Sequence, residues 1–162
     1  MRGAIVYKSK YGNARKIAES IAKGLIASGF EIKMVPIADV DGLEDSTDFL
    51  VVGGYTRMGK SRGKIKRWAR QASKVGFAGK RFATFSTGGM VAEENTDTKA
   101  PMMSNRQAAE DLYEILQEQG LVPIAPPFKA GVTGTKGPLV EGDKRRAEEF
   151  GRELAGRLAA RP

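Results

Sequence analysis

Along this chain, short continuous apolar runs alternate with apolar stripes spaced by three or four residues. Residues 3–8 form a β-prone run around Ala4, Ile5, Val6 and Tyr7. Over residues 13–28, Ile17, Ile21 and Leu25 recur at every fourth position, with Arg15, Lys16, Glu19 and Lys23 elsewhere. That spacing predicts an amphipathic helix, which Gly29 ends. Glu31–Pro36 alternates Ile32 and Met34 before Val35, the pattern of a strand nearer a sheet edge. Residues 49–52 are apolar on both faces, as a central parallel strand requires. A Gly-rich loop, 53–63, leads to a helix with Ile65, Trp68, Ala69, Ala72 and Val75 on one face. Residues 81–86 read as a fourth strand and 87–103 as a long loop. Ser104 is expected to cap the next helix, with Gln107 completing a capping box and Ala108, Leu112, Ile115 and Leu116 facing inward. Residues 121–125 read as a fifth strand, resumed at Phe128–Val132 beyond Pro126-Pro127. A Gly/Pro loop covers 133–142. The last helix starts near Asp143, with Ala147, Phe150, Leu154 and Leu158 inward.

Strands alternating with helices imply an α/β fold with a parallel sheet covered on both faces. The 162 residues fit a single domain, 1–162, with a sizeable core. No repeat, low-complexity tract or linker interrupts it.

Composition narrows the chemistry. There is no cysteine, which excludes disulfides, thiolate metal sites and cysteine nucleophiles. There is no histidine, the commonest general base and metal ligand. Redox or group-transfer chemistry would therefore need a bound cofactor. No apolar run approaches the roughly 20 residues of a membrane span. No signal segment is visible, so a cytoplasmic location is expected.

Three loops follow three apolar strands: 9–14, 53–63 and 86–103. In the first, Ser9-Lys10-Tyr11-Gly12-Asn13-Ala14 is a polar turn at the start of a helix. Such a turn exposes backbone N–H groups at the positive end of the helix dipole, which suits a phosphate. Gly12 lets the backbone come close, because no Cβ is in the way. Open α/β sheets bind ligands at the carboxyl ends of their strands.

With all three loops in order, the chain resembles the flavodoxin-like FMN proteins over nearly its whole length. Residues 4–14 resemble the phosphate signature of that family, in which a Ser/Thr-rich turn carries Gly and Asn before the first helix. Residues 51–59, Val-Val-Gly-Gly-Tyr-Thr-Arg-Met-Gly, resemble the third-strand loop that wraps the flavin. Residues 85–90, Phe-Ser-Thr-Gly-Gly-Met, resemble the fourth-strand loop on its other side. The resemblance implies a doubly wound five-stranded sheet of order 2-1-3-4-5, with FMN between the first and third strands. It implies that Ser9, Gly12, Asn13 and Ala14 hold the phosphate, with Lys10 and Tyr11 in the same loop. Tyr55, Thr56, Arg57, Met58 and Gly59 would wrap the ring. The Met58–Gly59 peptide would face flavin N5, turning over so that its carbonyl accepts the N5–H as the flavin is reduced. Thr87, Gly88 and Gly89 would approach the pyrimidine end, and Met90 would take the place of an aromatic neighbour. Tyr11 and Ala14 depart from the usual threonines.

Charge adds a second feature. Lys plus Arg number 27 against 19 acids, a formal net charge of +8. Lys60, Arg62, Lys64, Lys66, Arg67, Arg70 and Lys74 crowd the third loop and its helix, whereas Glu110, Asp111, Glu114 and Glu118 make a later helix acidic. The basic face suits docking of an acidic redox partner. Nucleic acid is the weaker reading, since no nucleic-acid motif is present and Trp68 falls on the apolar stripe. The favoured function is an FMN electron carrier. The alternatives are an FMN-dependent oxidoreductase of quinone-reductase or protoporphyrinogen-oxidase type, and an FMN-free binding module. No charged or aromatic set for a second organic substrate is evident.

Overall fold

The computed structural model describes residues 1–44, 46–89, 106–134 and 136–160. Strand β1 (Arg2–Lys8) leads to helix α1 (Asn13–Ala27), β2 (Glu31–Pro36), a 3-10 turn (Ile37–Gly42) and β3 (Phe49–Tyr55). There follow α2 (Lys64–Ala69), a second 3-10 turn (Ala72–Val75), β4 (Arg81–Gly89) and α3 (Ala108–Glu118). Strands β5 (Val122–Pro123) and β6 (Phe128–Val132) precede the closing helix α4 (Asp143–Ala159).

The sheet runs β2-β1-β3-β4-β5, with β6 also on β4. All its pairings are parallel. This is the expected 2-1-3-4-5 order, with β2 at the edge and the last strand in two pieces around Pro126-Pro127. Ile5, Val51, Ala83 and Phe85 pack one face against α1 and α4, while Val6, Leu50, Val52 and Phe82 pack the other against α2 and α3. Helices α1 and α4 meet closely at Gly24 and Gly151. A Cβ at Gly151 would run into the Ile21 carbonyl, and one at Gly24 into the Glu148 carbonyl.

Several boundaries differ from the sequence pattern. Strands β3 and β4 run on through Tyr55 and Gly89, so Thr87, Gly88 and Gly89 belong to the sheet and pair with Ala130, Gly131 and Val132. The helix expected through Val75 ends at Ala69. Val75 is exposed, and Phe77 fills the core behind the 3-10 turn. Trp68 is half-buried, edge-on to Phe77 at 5.9 Å. Helix α3 is capped one turn later than expected: the box is Gln107 with Glu110. Ser104 lies outside the described residues. Gln107 wins because its side chain is also used in the sheet. Its Oε1 accepts from the Ser86 hydroxyl at 2.8 Å and its Nε2 donates to the Ala130 carbonyl.

Candidate functional site

The turn after β1 brings the chain onto α1 through Gly12, whose φ of 91° is left-handed. Gly12 offers no side-chain cap, and the first turn holds no acid. The Ser9 hydroxyl accepts the Arg15 N–H at 3.3 Å, leaving the start of the helix as a rim of backbone donors. Asn13, only 7% exposed, turns its amide away from this rim and donates to the Lys136 carbonyl at 2.9 Å. This bond ties α1 to the loop before α4, and the Asn13 backbone N–H stays at the helix start where the resemblance implies the phosphate.

The loop after β3 is a tight turn. Arg57 and Lys60 exchange both backbone hydrogen bonds, at 3.0 and 3.1 Å. Between them Met58 (φ 52°) and Gly59 (φ 77°) are both left-handed, as a two-residue primed turn requires. Glycine takes that backbone freely, whereas methionine is strained there. Met58 is nevertheless 83% exposed, so packing does not offset its strain. Thr56 anchors the base of the turn: its N–H donates to the Thr87 carbonyl at 2.8 Å, and its hydroxyl accepts the Ala108 N–H at 2.9 Å.

A third wall was not read from the sequence. Beyond β6 the chain folds back as a narrow hairpin, with Val132 bridged to Leu139 and Thr133 donating to the Pro138 carbonyl. The base of this hairpin is held by buried Asp143, whose carboxylate accepts the Gly131 N–H at 2.7 Å and pairs with Arg146 at 2.6 Å. The signal for this wall was the Gly131-Val132-Thr133-Gly134 run, which follows the last strand as the other site loops follow theirs.

Together these loops enclose a cavity of about 650 Å³ at the carboxyl ends of the strands. Lys10, Tyr11, Asn13 and Ala14 line one side, and Tyr55, Thr56 and Arg57 another. Thr87, Gly88 and Gly89 line the floor, and Val132, Thr133 and Gly134 the third wall. Ser9, Gly12, Met58 and Gly59 belong to the same loops but do not line the cavity itself. Met90 lies outside the described residues. Among the described residues the lining carries the cations Lys10 and Arg57 and no carboxylate. No cluster of possible metal ligands occurs among the described residues.

Volume, shape and charge fit a phosphorylated flavin. The cavity lies within the roughly 300–1,000 Å³ of small-molecule sites. It has an uncapped helix start at one end, glycine backbone on its floor and an aromatic side chain, Tyr55, on its wall.

The known-protein comparisons agree. The flavodoxin family profile matches residues 5–151. A flavodoxin of Clostridium saccharobutylicum is 30% identical over 95 residues, 57% of this chain and 59% of that protein. A flavodoxin of Clostridium beijerinckii is 40% identical over 55 residues, 34% of this chain and 40% of that protein. The aligned part thus spans well under two thirds of either relative. A solved flavodoxin from the domain Archaea superposes with a TM-score of 0.76 over 99% of this chain and 100% of its own, at 18% identity, which speaks for the fold. With the profile covering most of the chain, this protein belongs to the flavodoxin family, whose cofactor is FMN.

Proposed function

We propose that the chain is an FMN-binding electron carrier that works in the cytoplasm and docks on an acidic redox protein. The observation that carries this is the cavity between the loops after β1, β3 and β4, whose described lining holds cations and no carboxylate, with the open start of α1 at one end. FMN supplies the redox chemistry when bound. The start of α1 would hold its phosphate through the Asn13 and Ala14 N–H groups, with the Ser9 hydroxyl steadying the turn. Tyr55 would cover the ring, and the Arg57–Lys60 turn would sit at its reactive edge. Backbone groups of Thr87, Gly88 and Gly89 would bind the polar end, and Met90 would close beside them.

The docking surface follows from which cations are already paired. Lys66 pairs with Asp111 at 2.9 Å, Lys129 with Glu110 and Arg106 with Glu114, so the acids of α3 neutralise their own neighbours. Among the described residues, Arg57, Lys60, Arg62 and Arg67 have no carboxylate within ion-pair distance. Arg57 lines the cavity, Lys60 and Arg62 follow it in the same loop and Arg67 lies on α2, so a negative surface would be steered to this side. Among the described residues no helix is long and apolar enough to cross a membrane.

The test is direct. Purified protein, with and without added FMN, should show the visible bands of an oxidised flavin. It should also lack turnover with NAD(P)H and a quinone. Sustained turnover would make it an enzyme instead, and a colourless protein that ignores FMN would remove the cofactor from the reading.

A further inference from the structure

We propose that Lys10 and Lys136, gathered on the ring of Tyr11, form a cationic clamp for the FMN phosphate that sets the preference for FMN over riboflavin. This rests on the FMN reading above. The Lys10 ammonium lies 5.4 Å from the Tyr11 ring centroid and that of Lys136 lies 5.8 Å from it. The two come from opposite ends of the chain, one from the turn before α1 and one from the hairpin before α4.

Two ammonium groups on one ring repel each other, and the ring holds each only weakly. No carboxylate lies within ion-pair distance of either among the described residues. Tyr11 is 44% exposed and lines the cavity with Lys10, Asn13 and Ala14, and Lys136 reaches this side through the Tyr11 ring. The position of Lys136 is not accidental to that start, because its own carbonyl takes the Asn13 amide.

The helix start supplies aligned N–H groups with only about half a unit of positive charge. A phosphate monoester is dianionic at neutral pH. Ala14 adds no hydroxyl where one would help. The lysines supply the missing charge, and the dianion in turn screens each lysine from the other. Riboflavin lacks the phosphate and gains nothing from the pair. Because both side chains are exposed, the gain must fall with salt.

Flavin-free protein should be titrated with FMN and with riboflavin, at low and high ionic strength, as wild type, as Lys10→Gln/Lys136→Gln and as Lys10→Arg/Lys136→Arg. The clamp requires that the glutamine pair weaken FMN by roughly tenfold or more at low salt. It also requires an unchanged riboflavin affinity, a flattened salt dependence and recovery in the arginine pair. Equal losses for both flavins, or no loss for FMN, overturn the clamp while leaving the FMN reading standing. If the wild type binds neither flavin, that reading itself falls, and the clamp with it.

Discussion

The Asn13 amide donates to the Lys136 carbonyl at 2.9 Å, joining the first helix to a hairpin 123 residues further along the chain. The bond is part-buried, so leaving the carbonyl unpaired should cost about 1–2 kcal/mol. Asn13→Ala is expected to lower stability by that amount in denaturant titration. It should also weaken FMN more than riboflavin, because the disturbed turn is the one proposed to face the phosphate. Parallel losses for the two flavins would place the phosphate elsewhere.

Met58 sits left-handed in a turn whose favoured sequence is Asn-Gly. Met58→Asn should therefore stabilise the flavin-free protein, by a few tenths to about 1 kcal/mol. The same change alters a side chain of the loop expected to wrap the flavin, so FMN affinity should fall. Opposite signs in the two measurements are the expected result; a gain in both would mean that Met58 does not meet the cofactor. Gly59→Val forces a β-branched residue into the same backbone. It should destabilise the turn by about 1–2 kcal/mol and change the separation of the two one-electron potentials in a redox titration.

Two glycines of one helix should respond oppositely. In α4, a Cβ at Gly151 meets the Ile21 carbonyl and lies 3.1 Å from the Gly24 Cα, whereas one at Gly156 meets nothing within 4 Å. Gly151→Val is expected to cost 1–3 kcal/mol or more by prising α1 from α4, in the range of ~1–3 kcal/mol for overpacked cores. Gly156→Ala should stabilise by roughly 0.5–1 kcal/mol through helix propensity. Thermal melts of both variants check the pair.

Arg57 and Lys60 close the turn proposed to edge the flavin. A unit charge ~8 Å away, at an effective dielectric of ~20, contributes roughly 2 kcal/mol before screening. Positive charge favours the anionic, fully reduced flavin. The double reversal Arg57→Glu/Lys60→Glu should therefore lower the second one-electron potential, most strongly at low salt. The same variant should slow electron transfer to an acidic protein. An unmoved potential at low ionic strength would put these cations away from the ring.

The parts legible in the sequence were those with a strong local pattern. The stripe Ile17, Ile21, Leu25 gave α1 almost to its ends, and the run 49–52 gave the start of β3 but not its last three residues, Gly53, Gly54 and Tyr55, because burial on both faces or on one stripe leaves few alternatives while glycines carry no such pattern. The turn before α1 was legible because Gly and Asn at a helix start have few other uses. What was not legible depended on distant partners. Ser104 looks a better cap than Gln107 until the Ser86 and Ala130 contacts to Gln107 are known. Val75 continues an apolar stripe, but Phe77 outcompetes it for the core once the helix stops at Ala69. The bond from the Asn13 amide to the Lys136 carbonyl joins residues too far apart in sequence to leave a local signal.

Asp143 belongs to the first turn of the last helix, yet its carboxylate fixes the Gly131 N–H beneath the third wall of the cavity. Helix α4 is held in turn by its seam with α1, at the other end of the chain. During synthesis, therefore, the pocket stays open-sided until α4 has emerged and closed against α1. Cofactor uptake would then wait for α4, and a nascent chain lacking α4 should capture little flavin even with the turn before α1 already made.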